Sequence, residues 1–404
     1  MTYQVLARKW RPKVFDSVIG QEHIVTAIAN SFILNKVHHA YILFGTRGVG
    51  KTTIARLFAK RLNCKSEKKS LPCGCCNICL EIDKGCFFDV IEIDAASRSK
   101  VEDTREFLDD SYYPPIVGQF KVYLIDEVHM LSRNSLNALL KVLEEPPKHV
   151  KFFLITTEQQ KLPATILSRC VQFYLRPLSI SQIFNQLVYI FKQENIECEL
   201  SGVKLIAYFA KGSMRDALSL SEQAIIIGKN KIYHNVIKKM LGVIDIEHPL
   251  FLLESLIDDN VHAVMLRIEQ CSKLNVDWDY FLSDMLMLLQ KIGMIQLSNN
   301  TYDTHNDNVD DIRTFEKTRL IALSKKIVPA HVQLYYQIFL TGRKELYYAP
   351  SYRMGFEMIM LRASILLDIA KNHNSHNYIC SDNSEKNSFI TNMIANQGSF
   401  ITFR

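Results

Sequence analysis

The sequence predicts an α/β domain built on a mainly parallel sheet, followed by two helical regions. Three observations carry this. Short β-branched runs alternate with amphipathic stretches up to about residue 176. A glycine-rich loop, Gly45 to Thr52, joins one such run to a helical pattern. After Arg176-Pro177-Leu178 the strand signal fades and apolar residues recur at helical spacing.

The strand candidates are residues 40–44, 90–93, 122–125, 151–156 and 171–175. Runs apolar on both faces and separated by helices imply a parallel sheet covered on both sides. One intervening helix carries Leu136, Leu139, Leu140 and Leu143 on a single face. Pro146-Pro147 should stop it, because proline lacks the amide donor and clashes with the preceding turn. Residues 179–242 read as helical, with Ile183, Leu187 and Ile190 on one face and Leu205, Ile206 and Phe209 on another. Residues 243–368 are again helix-rich, interrupted by a polar stretch at 299–311 that reads as a mobile loop. An asparagine-rich tail, 369–404, is expected to be disordered, and no internal repeat is found.

A chain of 404 residues suggests roughly two or three domains. Hydrophobic residues at 48% and charged residues at 22% exclude wholesale disorder, collagen and a disulfide miniprotein. No apolar run approaches the roughly 18 to 20 residues that span a bilayer, and Met1-Thr2-Tyr3-Gln4 lacks a signal's apolar region. A cytoplasmic protein without membrane contact is the expectation. The net charge of +6 permits nucleic-acid contact without arguing for it. Five of the ten cysteines fall between Cys64 and Cys79, which in a reducing compartment reads as metal ligation.

Gly45-Thr46-Arg47-Gly48-Val49-Gly50-Lys51-Thr52 fits the P-loop pattern at every constrained position, between a strand and a helix beginning at Thr53. The glycines let backbone amides close around phosphates, and the helix N-terminus favours the anion. Lys51 should reach the β and γ phosphates of ATP, Thr52 should ligate Mg²⁺, and Thr53 completes the expected nucleotide contacts. The apolar strand before Asp126-Glu127 delivers two carboxylates. Asp126 would hold the magnesium through water, and Glu127 would deprotonate the attacking water. Asp126-Glu127-Val128-His129 has the letters of a DExH helicase, but no Q-x-x-G-R-x-x-R box accompanies it and the chain is short for two motor lobes.

Cys64, Cys73, Cys76 and Cys79 have the spacing of a closed Cys₄ zinc site, with Cys75 spare. A Zn²⁺ there would be structural, tying a loop inserted after the P-loop helix to the domain.

With these residues in view, the sequence resembles the gamma/tau subunit family of bacterial DNA polymerase III, the AAA+ ATPases of the sliding-clamp loader. The matching stretches are residues 3–12, the P-loop, the cysteine quartet, 93–97, 122–132, 143–147, 168–170 and 212–217. They cover the first 242 residues almost continuously; the C-terminal region fits by length and helicity. The resemblance implies an AAA+ domain at 1–178 with a zinc module at 64–79, a helical lid at 179–242 and an oligomerising collar at 243–368. Arg169 matches the arginine finger offered to a neighbouring subunit, Thr157 the first sensor, and Arg215 the second sensor on the lid. Ala7, Arg8, Trp10, Arg11 and Pro12, with Val18, Ile19 and Gly20, match the segment around adenosine. Arg98, Lys100, Arg105, Lys141 and Thr165 match contacts to the DNA backbone, which give affinity without sequence readout.

The implied partners are delta, delta-prime, other copies of this chain, the β sliding clamp and primed DNA, in a replisome at the nucleoid. The longer tau form of the family carries extra C-terminal domains for helicase and polymerase. This sequence ends at Arg404, so a gamma-length loader is expected and the contacts to polymerase core and helicase stay open. Formally a subunit of a DNA-directed DNA polymerase, the chain shows no polymerase palm chemistry and should synthesise no DNA alone. Two rivals remain: a nucleotide-stabilised scaffold without turnover, and a different AAA+ DNA motor. Lys51, Asp126, Glu127 and Arg169 speak against the first, and the cysteine quartet against the second.

Overall fold

Side chains along the central strands alternate between two cores, as a strand buried on both faces requires. A computed structural model describes residues 4–65, 72–97, 101–242, 245–274, 276–297 and 312–376. Two units divide the chain, Met1–Met240 and Leu241–Arg404. In the first, the strands β1 (Ala40–Phe44), β2 (Val90–Asp94), β3 (Lys121–Asp126), β4 (Val150–Thr156) and β5 (Val171–Tyr174) form one sheet in the order β2-β3-β4-β1-β5. Every pairing is parallel. Ile42, Tyr123, Ile125, Phe152 and Leu154 face one core, covered by α5 (Val101–Asp110), α6 (Arg133–Glu144) and α7 (Ala164–Leu167). Tyr41, Leu43, Val122, Leu124, Phe153 and Ile155 face the other, covered by α2 (Glu22–Ile33) and α3 (Lys51–Asn63).

The helix limits follow local chemistry. Ser132 caps α6 through the Ser135 amide at 3.1 Å, and α6 ends at Glu144, just before Pro146-Pro147. A short α1 (Leu6–Lys9) precedes α2, and α4 (Asn77–Lys84) sits in the insertion after α3. After the sheet come α8 (Ile180–Gln193), α9 (Leu200–Phe209) and α10 (Met214–Ile227), in the region expected to form the lid, and then α11 (His234–Met240), with a two-stranded parallel pair, β6 (Glu197–Cys198) and β7 (Lys231–Ile232). Ser179 and Gln182 form a capping box that starts α8 directly after the sheet domain. Ile183, Leu187 and Ile190 are buried, as their spacing predicts.

One buried carboxylate organises the edge of the sheet. Asp89, 1% exposed, accepts the backbone amides of Ile116, Val117 and Gly118 at 2.7, 2.8 and 2.6 Å. Asn63, at the end of α3, accepts those of Gln119 and Phe120, both at 2.9 Å. Together they satisfy the turn that feeds β3. Asp89→Ala should therefore strand three amides and destabilise the first unit by about 3 kcal/mol. A lowered midpoint in urea unfolding would show it, and an unchanged midpoint would remove the structural role assigned to Asp89.

The second unit is helical: α12 (Glu247–Ile257), α13 (Val261–Ser272), α14 (Trp278–Leu297), α15 (Ile312–Lys326), α16 (Pro329–Glu345) and α17 (Tyr352–His376). Its core gathers Leu253, Ile268, Leu282, Leu289, Phe339 and Phe356. Helix α17 corrects one boundary: residues 369–376, read from sequence as the start of a polar tail, are helical. Extending a formed helix needs only one more residue fixed per hydrogen bond, so polar composition alone does not end it. The remaining tail, 377–404, and the predicted loop at 299–311 lie outside the described residues.

Candidate nucleotide site and cysteine cluster

The sheet order places β1 between β4 and β5, with Phe44 in register with Thr156. The P-loop after Phe44 therefore lies beside Thr156-Thr157, and Asp126 ends β3 on the far side of β4. Ligands of open parallel sheets bind at these carboxyl ends. Gly48 and Gly50 take left-handed φ of +77° and +102°. A Cβ at Gly48 would fall 1.9 Å from Ser213 Oγ and 3.2 Å from Arg215 Cβ, so the loop touches the start of α10 in the lid.

Lys51 opens α3 and is 7% exposed. Its Nζ donates to the carbonyls of Gly45 and Thr46, both at 2.9 Å, which curls it back over the loop. Burial lowers its pKa, while Glu127 and Asp126 act to raise it. Thr52 donates to Asp126 Oδ2 at 2.9 Å. A hydroxyl on a carboxylate, beside a phosphate cradle, is the donor set a magnesium ion takes with few protein ligands and retained water.

Glu127 sits at φ +48°, ψ +47°, a left-handed conformation costing a non-glycine residue roughly 1 kcal/mol. That reversal turns its carboxylate toward β4, where Oε2 accepts from the Thr157 hydroxyl at 3.1 Å and the Thr157 amide at 3.3 Å. The sequence-predicted base and first sensor are thus directly bonded to each other.

The N-terminal segment closes another side. Arg11 Nε donates to Thr53 Oγ1 at 3.2 Å. Burial, then repulsion from Arg56 and Arg215, pushes its guanidinium down to about 10 against the pull of Glu92 and Asp126. Arg56 of α3 pairs with Glu92 of β2. Lys9 Nζ and Trp10 Nε1 both bond Glu194 of the lid at 2.7 Å, and the Trp10 ring meets Tyr189 edge-on. Gln21 bonds the backbone of Arg176 in both directions, at 2.7 and 3.2 Å. Ala7, Pro12, Val18, Ile19 and Gly20 are half-buried along this strap, while Arg8 is exposed.

Arg169 is elsewhere. Its guanidinium bonds the Thr165 carbonyl at 2.9 Å and pairs with Glu144 at 2.6 Å, with the side chain 36% exposed. Arg105 on α5, Lys141 on α6 and Thr165 on α7 are exposed on three helices of one layer. Arg98 and Lys100 fall outside the described residues.

The sulfur atoms of Cys64, Cys73, Cys76 and Cys79 all lie within 4.8 Å of one another. Cys64 to Cys73 is 3.4 Å and Cys73 to Cys79 is 3.9 Å. Tetrahedral zinc with bonds of about 2.3 Å holds its sulfurs about 3.8 Å apart, so the quartet fits that ion. Amides of Cys73, Cys76 and Cys79 point at ligand sulfurs at 3.4 to 3.5 Å. The amides of Cys75 and Cys76 draw the Cys73 thiol down to about 6. Cys75 is exposed.

Some participants were not visible beforehand. His129, read from sequence only as a motif letter, is packed against Glu127, Thr156 and Glu158. Glu194 and Gln21 reach partners more than 150 positions away, and no local signal marks them.

A phosphate-cradling loop on a central parallel strand, acids on a neighbouring strand and a helical lid against the loop define a P-loop ATPase of the AAA+ class. Residues 182–230 match the family model described as DNA polymerase III clamp loader subunit, ATPase lid domain. Residues 20–179 match the model for the DNA polymerase III delta subunit, and 232–377 that for domain III of subunits gamma and tau. DNA polymerase III subunit tau of Escherichia coli K12 is 53% identical over 90% of this chain and 55% of its own length. Subunit gamma of Buchnera aphidicola from Schizaphis graminum is 48% identical over 90% of this chain and 98% of its own. The corresponding gamma subunit from the Acyrthosiphon pisum symbiont is also 48% identical, over 99% of its length. The chain belongs to the gamma/tau family of DNA polymerase III subunits. It spans about half the length of the tau relatives. Among the described residues, no helix is long and apolar enough to cross a membrane.

Proposed function

We propose that this chain is the ATP-driven motor subunit of a bacterial clamp loader, which opens the β sliding clamp and places it on primed DNA. One observation carries the reading: Lys51, the Thr52–Asp126 pair and the Glu127–Thr157 pair converge at the carboxyl ends of β1, β3 and β4. ATP would lie with its adenosine against residues 7–20 and its phosphates over Gly45 to Thr53. A magnesium ion held near Thr52 and Asp126 would supply charge neutralisation of the phosphates. Glu127 takes a proton from water as the water oxygen bonds to the γ-phosphorus and the bond to the ADP oxygen breaks. Lys51 stabilises the growing negative charge, and Arg169 of an adjacent copy adds a second cation from outside. Thr157 and Arg215 would report the state of the γ-phosphate to the sheet and the lid.

The P-loop's close approach to Ser213 and Arg215 supports this coupling, because a change in the loop would press on the start of α10. Arg169, half-buried and paired with Glu144 away from its own loop, suits presentation to a neighbour. Arg105, Lys141 and Thr165 would meet DNA phosphates, with delta and delta-prime completing the assembly and zinc stabilising residues 64–79. DNA synthesis is not expected from this chain alone.

Steady-state ATP hydrolysis by the chain reconstituted with delta, delta-prime and β clamp tests the reading. Primed DNA should raise the rate strongly, and Arg169→Ala should lower it by about 10³-fold. A rate indifferent both to DNA and to Arg169 would favour the scaffold alternative instead.

A further inference from the structure

The short turn after β3 places an imidazole where the proposed mechanism makes no use of one. The His129 side chain is 6% exposed. Its Nδ1 lies 2.9 Å from Thr156 Oγ1 and 3.5 Å from Glu127 Oε2, and its Nε2 lies 3.6 Å from Glu158 Oε1. Thr156 Oγ1 is itself fixed, accepting the Glu158 amide at 3.0 Å. Val128, between the base and the histidine, is fully buried, so neither neighbour can swing away independently.

We propose that His129 is a positioning residue for Glu127: braced by Thr156, the ring fixes which carboxylate oxygen is presented to the attacking water. Oε2 is engaged by Thr157 and faces the imidazole. The base therefore acts through Oε1. Thr157 is expected to turn toward a γ-phosphate when nucleotide enters, and the Glu127 carboxylate would then lose the Thr157 hydroxyl as a donor. A rigid ring bonded to β4 rather than to the nucleotide keeps Oε2 in place through that exchange. The Nδ1–H tautomer is the one that serves: its proton is shared between Thr156 Oγ1 and Glu127 Oε2, whereas an Nδ1 lone pair would repel the carboxylate. This rests on the reading of Glu127 as the general base.

The test compares wild type, His129→Ala, His129→Asn and His129→Gln in the reconstituted loader with clamp and primed DNA. It records kcat and KM for ATP, and the affinity for a β,γ-imido analogue. His129→Ala should lower kcat about tenfold, as a small misplacement of a reacting group does. KM and analogue affinity should stay within about twofold, since ground-state binding is untouched. Asparagine carries its amide near the place of Nδ1 and should recover most of the rate; glutamine, which reaches toward Nε2, should recover little. An unchanged kcat in His129→Ala beside an active wild type overturns the inference alone. So does an asparagine variant no better than alanine, which would reduce the ring to packing. A wild-type loader without turnover overturns the reading of the site and this inference with it.

Discussion

Lys51→Ala should abolish ATP hydrolysis, lowering the rate by about 10³-fold or more, and should weaken nucleotide binding with it. The size of the effect follows from where the ammonium sits. It is buried at the head of α3 and held by two carbonyls of the loop that would surround the phosphates. Desolvation lowers its pKa, against the opposing pull of Glu127 and Asp126. A buried charge facing a phosphate in a water-poor site is worth far more than one at the surface. Removing it leaves Asp126 and Glu127 facing an uncompensated polyphosphate. The apo fold should survive, because α3 remains anchored by Ile54, Leu57, Phe58 and Leu62. Hydrolysis by the reconstituted loader, alongside circular dichroism and fluorescent-nucleotide binding, separates these effects. A variant that folds and still hydrolyses ATP near the wild-type rate would remove Lys51 from the site.

The distinction between what sequence revealed and what it did not follows the range of the interactions. The P-loop, Asp126-Glu127 and the cysteine quartet are legible because their chemistry needs fixed residue types within a few positions of one another. The five strands are legible because each is a short run rich in apolar and β-branched residues, and all five form within a residue or so of the expected limits. Their order is not legible: β1 lies between β4 and β5, and nothing local in residues 40–44 states that. Asp89 looks like an ordinary acid before a strand, yet it caps three amides some 27 to 29 positions away. Glu194 looks like a solvated helix end, yet it receives Lys9 and Trp10. His129 illustrates the intermediate case. Its letter sat inside a motif, but its contacts depend on the left-handed turn at Glu127, which no pattern of apolar residues encodes.

Loss of the metal should be the second large effect, and its reach should extend past the insertion. Cys64 follows the last residue of α3, the helix that begins with Lys51. Cys76 caps α4 through the Cys79 amide, and Cys79 lies buried within α4. A zinc ion on the four sulfurs would therefore pin the far end of the P-loop helix to the next helix. One protein contact already makes the same connection: Lys60 of α3, 1% exposed, pairs with Asp83 of α4 at 2.5 Å and bonds the Lys13 carbonyl at 3.0 Å. Structural zinc in small peptides contributes about 10–16 kcal/mol of apparent binding energy, all of it folding energy there. Here the sheet already holds α3, so Cys73→Ser should cost the first unit less, roughly 3 kcal/mol, while unfolding the insertion itself. Metal analysis should find about one zinc per wild-type chain and none in Cys73→Ser, with a clear drop in thermal midpoint. Cys75→Ser should keep both the metal and the midpoint, because its exposed thiol lies outside the quartet. Full zinc in Cys73→Ser would break the ligand assignment. Loss of zinc in Cys75→Ser would move one ligand to that neighbour. If Cys73→Ser loses the metal but hydrolyses ATP at the wild-type rate, the anchor and the P-loop are energetically separate, and α3 transmits nothing from one end to the other.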